Sequence, residues 1–210
     1  MKIYVCHHLP LKERHGPMIA QLDKYNYKYE FMTHHPTGCE LDIFDKNIHS
    51  SECSLVVKHL ECFKQIAESD EDYSLILEDD AIFAEDFNTK LDSYLSQLPD
   101  DFDLFFISNG CGTHIAYNKK NNIYNRPVNG KGCTRGTDAY FASKSGAKKL
   151  NQYLIDNPQI DRAVDHWLNM VGKQINLRVY WAEPTIVHQG SETPQYRSSL
   201  NGKRHKSDRK

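Results

Sequence analysis

The chain has 210 residues, 39% of them hydrophobic and 11% aromatic, enough to bury a substantial core in one domain. Its 26 basic residues against 28 acidic ones leave a net charge of -2, which removes any general electrostatic case for binding nucleic acid. No apolar run approaches the roughly 20 residues of a membrane span, and the start, Met1 to His8, is too short for a signal peptide. The six cysteines show no CxxC and no regular spacing, so reduced thiols in a cytoplasmic protein are expected.

Lys2-Ile3-Tyr4-Val5-Cys6 reads as a short strand. A helix is expected over residues 12–22, with Met18, Ile19 and Leu22 as its buried stripe. Strand, loop and helix in that order suit the opening of a nucleotide-binding α/β unit, although no G-x-G-x-x-G is present. Arg14 at the helix start is a candidate to reach a diphosphate; the alternative is a solvated surface arginine. Residues 27–32 read as a second strand, and 33–49 as irregular. The next helix should begin near Ser51, capped by Ser50 or Ser51, and bury Val56, Leu60, Phe63 and Ala67. Glu52 and His59 lie two turns apart on it and either orient active-site groups or only bond within a packed helix.

The chemistry concentrates in the following strand. Leu75-Ile76-Leu77 lacks strict alternation, so the strand should be covered on both faces. It ends in three consecutive carboxylates, Glu78-Asp79-Asp80. Two carboxylates ~4 Å apart repel by about 4 kcal/mol at an effective dielectric near 20. Such a cluster must be solvated, partly protonated or matched by a cation. Carboxyl ends of strands are where open α/β sheets bind ligands. A hard divalent cation, Mn²⁺ or Mg²⁺, bridging Glu78 and Asp80 to a phosphate is the functional reading; an acidic solvated turn is the plain one.

Beyond it, residues 87–98 carry a helical stripe, 103–107 read as another buried strand, and 118–132 as loops or a hairpin. A strand is expected over 137–142, a helix over 145–154, and a further helix beginning at Pro158 with Val164, Trp167, Leu168 and Val171 inward. Residues 179–182 and 185–187 are late strands around Pro184. The basic end, 201–210, should be a disordered tail, solvated or in peripheral contact with a membrane. The expected architecture is a single α/β domain over 1–200.

Three segments together resemble glycosyltransferase family 25, the lipooligosaccharide and collagen hydroxylysine galactosyltransferases. Glu52 through His59-Leu60 into Leu75-Ile76-Leu77-Glu78-Asp79-Asp80 is similar to the family's Glu, His-Leu and ILEDD. Gly136-Thr137-Asp138-Ala139-Tyr140 with Gly146-Ala147-Lys148-Lys149-Leu150 is similar to GT-x-AY and GA-x-KL. Val164-Asp165, then Pro184-Thr185-Ile186-Val187-His188-Gln189, is similar to VD and P-x-x-V-x-Q. Two regions depart from the pattern, the end of the first strand and the first turns of the second helix. The family's Asn-Leu-x-Arg is replaced by Cys6-His7-His8-Leu9-Pro10, leaving only Arg14, and Gly-Cys and Ser-His become Ser54-Leu55 and Lys58-His59.

The resemblance implies a GT-A-like fold with a mixed, mostly parallel sheet, and a metal-dependent, inverting transfer of galactose or glucose from a UDP-sugar. The acceptor would be a glycan, a lipooligosaccharide or a hydroxylysine-type hydroxyl. Glu78 and Asp80 would hold Mn²⁺, with Asp80 the direct ligand and His188 as a late metal ligand. Asp79, Arg14 and Gln189 would bind the donor. Asp165 would be the general base, with Asp161 its competitor; either could instead be a charge favoured at a helix start. A phosphatase with an aspartyl nucleophile is disfavoured, because Glu78 stands where that Asp would be. A transferase-like protein that only binds nucleotide or glycan is the remaining alternative.

Overall fold

The computed structural model describes residues 1–116, 121–127, 134–193 and 195–196. The expected tail at 201–210 and parts of the 118–132 loop lie outside these residues. In chain order the elements are β1 (Lys2–Cys6), α1 (Lys12–Lys24), β2 (Lys28–Met32), α2 (Ser50–Glu68), β3 (Tyr73–Glu78), β4 (Ala81–Phe83) and α3 (Phe87–Leu95). There follow β5 (Leu104–Phe106), β6 (Ile123–Asn125), β7 (Ala139–Ser143), α4 (Lys144–Asp156), α5 (Val164–Gln174), β8 (Val179–Ala182) and β9 (Val187–Gln189).

Seven strands form one sheet in the order β2-β1-β3-β7-β5-β8-β6, and β4 pairs with β9 in a separate ribbon. β7 is antiparallel to β3 and β5, and β6 is antiparallel to β8; the other five strands run one way. This is the mixed, mostly parallel sheet that the sequence led us to expect. Alternate residues feed two cores. Tyr4, Ile76, Phe106 and Tyr140 face α2, α4 and α5, whereas Ile3, Val5, Leu75, Leu77 and Phe141 face α1 and α3. Both faces of β3 are thus covered, which is why its sequence is a continuous apolar run.

The topology places the polar chemistry at one edge. From β1 the chain moves outward to β2 and then returns on the other side of β1 as β3, so the order reverses at the β1–β3 pair. Such a reversal opens a crevice beyond the strand ends. Because α2 leads into β3 and α5 into β8, and both strands run with β1, the N-termini of α2 and α5 lie at that same edge.

Two local expectations are corrected. The cap of α2 is His49: its ring accepts from Ser51 N–H while Glu52 reaches back to the His49 N–H. Glu52 therefore closes a capping box and does not orient the site. The last helix starts at Val164, not Pro158, because the backbone before it is spent elsewhere. Ile160 forms a parallel bridge to Phe44, giving its N–H to Ile43 and taking that of Asp45.

Candidate active site

β1 and β3 pair with Cys6 opposite Glu78, so the residues that follow each strand emerge side by side. Beyond them lies a cavity of about 380 Å³, closed on one side by Ser50, Ser54 and Lys58 of α2. Glu78, Asp79, Asp80, His7, His8, Arg14, Gln189 and Ser191 line the rest of it.

The three carboxylates have distinct surroundings. Asp79 is buried, and its Oδ1 accepts from Arg14 Nη1 at 2.6 Å. Its Oδ2 accepts from His7 Nδ1 at 2.8 Å and from the His8 N–H at 3.1 Å. Burial pushes this carboxyl up, but His7, Arg14 and the His8 N–H outweigh it and hold Asp79 below its ordinary value. Both of its oxygens are spent inside the protein. Asp79 and Arg14 line the cavity but neutralise each other, pinning the loop after β1 to the end of β3.

Asp80 is only 2% exposed. Its Oδ2 accepts from the Ser191 N–H at 3.1 Å, and its Oδ1 is buried without a hydrogen-bond partner among the described residues. Burial first, and then the charge of Glu78, push its carboxyl up to about 6, against the pull of the Ser191 N–H and Arg14. Gly190 makes this contact possible: a Cβ there would lie 2.7 Å from the Asp80 carbonyl oxygen. Glu78 accepts from Thr137 Oγ1 at 2.6 Å and lies 3.8 Å from His59 Nε2. His59 is fully buried with Nδ1 2.9 Å from Tyr140 Oη. Burial pulls it down, but Cys6 and Glu78 raise it to about 9. His59 thus supports Glu78 from beneath.

His188 is not brought into the site. It sits opposite Ile82 in the β4–β9 ribbon and is exposed, while Gln189, the next residue on a two-residue period, lines the cavity. Asp165 lies at the carboxyl edge of the sheet but in a neighbouring cleft, with Arg126, Asn169 and Trp181. Burial raises its carboxyl, the His166 side chain and N–H oppose this, and the charge of Glu78 adds to the rise. Asp161 is exposed and forked onto Arg162, Oδ1 to Nε and Oδ2 to Nη2, both at 2.6 Å. Arg162 holds Asp161 below its ordinary value.

Two site residues escaped the sequence reading. Lys58, on the buried side of α2, lines the cavity. Asp138 sits at the x position of GT-x-AY, fully buried, with neither oxygen hydrogen-bonded among the described residues. Burial, Glu78 and Asp80 push it well above the usual carboxylate range. A signal for Asp138 existed in its neighbour, since Thr137 belongs to the same motif and bonds to Glu78.

A pH dependence follows. Folded values above the ordinary one mean that the folded state binds more protons than the unfolded state. Stability conferred at low pH is then lost as pH rises, with a slope of about 1.4 kcal/mol per pH unit for each proton. For Asp80 the loss is complete near 6. Above that, the raised His59 carries it up to about 9, and Asp138 contributes a loss of the same sign from its ordinary value upward. Asp138→Asn, which needs no proton to stay neutral, is expected to flatten the fall in Tm as pH rises above the ordinary carboxylate range. Parallel melting profiles for the variant and the parent would show that Asp138 folds ionised.

The strand order of this α/β sheet reverses at a carboxylate-lined cavity, the place where sheets of this architecture bind ligands. The chain belongs to glycosyltransferase family 25 (LPS biosynthesis protein), whose sequence model matches residues 20–134. Among solved structures it is similar to a glycosyltransferase involved in the glycosylation of the major capsid of PBCV-1. That match has 10% identity and a TM-score of 0.55, and covers 92% of this chain and 94% of the other, a likeness of fold. A Bacillus anthracis protein described as a glucose-1-phosphate thymidylyltransferase, in complex with a sucrose, matches more loosely. It has 12% identity and a TM-score of 0.40 over 87% of this chain and 67% of the other. No curated protein matches. Among the described residues, no helix is long and apolar enough to cross a membrane.

Proposed function

We infer that the protein is a metal-dependent, inverting glycosyltransferase that moves galactose or glucose from a UDP-sugar to a hydroxyl of a glycan or protein acceptor. One observation carries this reading: Glu78 and Asp80 face a cavity at the strand-order reversal, with a buried Asp80 oxygen that no group among the described residues satisfies. Among the described residues no group of three or more His, Cys, Asp or Glu is arranged to hold a metal ion. Two carboxylates with one open oxygen fit a divalent cation whose remaining ligands come from a diphosphate. Glu78 and Asp80 would hold it, and when bound it would neutralise charge on the leaving diphosphate.

The other roles belong to the chain itself. Thr137 and His59 keep Glu78 directed at the cavity, while Arg14 and His7 restrain Asp79 beside it. Asp165, raised by burial at the same edge, is suited to take the proton from an acceptor hydroxyl. Asp161, exposed and paired with a cation, is not. Slow hydrolysis of the donor needs no acceptor, so a screen of nucleotide sugars with Mn²⁺ or Mg²⁺ tests the reading directly. Release of UDP over many equivalents of protein, abolished by a chelator, is expected. Tight UDP binding without any release would instead support a binding protein that has lost turnover.

A further inference from the structure

Lys58 poses a problem that the reading above does not solve. Its side chain is 3% exposed, and its ammonium donates to the Ser54 carbonyl at 3.2 Å and to Ser54 Oγ at 2.5 Å, both neutral groups one turn back on α2. Among the described residues no carboxylate comes within ion-pair distance of it. A buried cation without a counter-charge is costly to fold, and an ammonium has three donors to place. Yet this one lines the cavity, on the wall formed by α2. His8 and His35 line the cavity too, their ring centroids 6.3 Å apart. Burial first, and then the charges of Lys58 and His35, hold His8 below its ordinary value, so it adds no cation of its own at neutral pH.

The cavity is therefore bipolar, with Glu78 and Asp80 on one wall and Lys58 on another. Resting on the donor reading above, its occupant has one anionic part. The base, ribose and hexose of a UDP-sugar are uncharged, and only the diphosphate calls for a cation. The sequence departs from the family pattern in the same sense. The arginine of Asn-Leu-x-Arg is missing after β1, and lysine stands where the family has the serine of Ser-His. We propose that Lys58 is the direct phosphate ligand of the donor cavity, taking a diphosphate oxygen from the side opposite Glu78 and Asp80.

Calorimetry with a chelator present isolates this contact from any metal. Inorganic pyrophosphate, UDP and uridine are titrated into the full chain and into Lys58→Gln. Pyrophosphate and UDP are expected to weaken by about 10- to 100-fold, the range for a hydrogen bond to a charged group, while uridine is unchanged. The melting temperature without ligand should hold or rise, because the variant removes an unpaired buried charge. Lys58→Met, which keeps an unbranched stem, carries the same expectation if glutamine does not fit. Unchanged pyrophosphate affinity, an equal loss for uridine, or no pyrophosphate binding by the parent would each overturn the assignment. The donor reading fails separately. Pyrophosphate held through Lys58 by a protein that turns over no nucleotide sugar would uphold the phosphate ligand and sink the transferase. Normal turnover with unaltered pyrophosphate binding in Lys58→Gln would do the reverse.

Discussion

Asp165→Asn is expected to bind UDP-sugar as the parent does and to transfer sugar about 10²–10⁴ times more slowly, the usual contribution of a general base. The substitution keeps size and most hydrogen bonding but removes the proton acceptor. Asp165 occupies the first turn of α5, half-buried, and burial with the added charge of Glu78 brings its carboxyl closer to a working pH. The acidic limb of the kcat/KM profile should accordingly lie above the ordinary carboxylate value. Were Asp165 only a charge favoured by the helix dipole, the same change would cost about 0.3–1 kcal/mol of stability and little activity. Asp161→Asn is the control, expected to leave transfer unchanged because Asp161 is exposed and committed to Arg162. Steady-state UDP release together with donor binding by calorimetry separates these outcomes. Near-normal transfer by a folded Asp165→Asn would remove the base from this position.

Asp80→Asn is expected to lose turnover by about 10²–10³-fold, as when a group aimed at developing charge is removed. Unlike Asp165→Asn, it should also lose metal-dependent binding of UDP. In the parent, Mn²⁺ with UDP should raise Tm more than either alone, following mass action; in the variant the synergy should vanish. The fold should not suffer. The amide oxygen of the introduced asparagine can still accept from the Ser191 N–H, and the repulsion from Glu78 that helps raise Asp80 to about 6 is relieved. UDP affinity that ignores a chelator in the parent, or a synergy that survives in Asp80→Asn, would overturn the shared-metal site.

The elements that the sequence disclosed are those whose signal is local. β1, β3 and β5 were legible because their apolar runs match what two covered faces require, and α1 because Met18 and Leu22 fall on one buried helical face. The start of α5 was not, since its preceding residues look helix-compatible until Phe44 bridges Ile160 from 116 positions away, a pairing no window could contain. His188 was misplaced for a related reason. Its proximity to the last strand was correct, but which face it takes depends on how β9 turns from the main sheet to pair with β4. Lys58 was passed over because lysine on a helix ordinarily reads as solvent-facing; only the packing of α2 over β1 and β3 buries it.

The residue pattern by itself determined that an apolar strand ends in Glu78-Asp79-Asp80 and that these charges must be satisfied, since adjacent carboxylates repel whatever surrounds them. Tertiary structure decided how. Asp79 is neutralised by His7 and Arg14 from 72 and 65 residues away, and Glu78 is held by Thr137 from 59 residues away. Asp80 keeps one buried oxygen open among the described residues. The three carboxylates follow one another from the strand end into the turn after it, and each meets whichever element the sheet order has brought to its side. Their division of labour was therefore set by the pairing of β1 and β7 with β3 and by the return of β9, none of which is written in the local sequence.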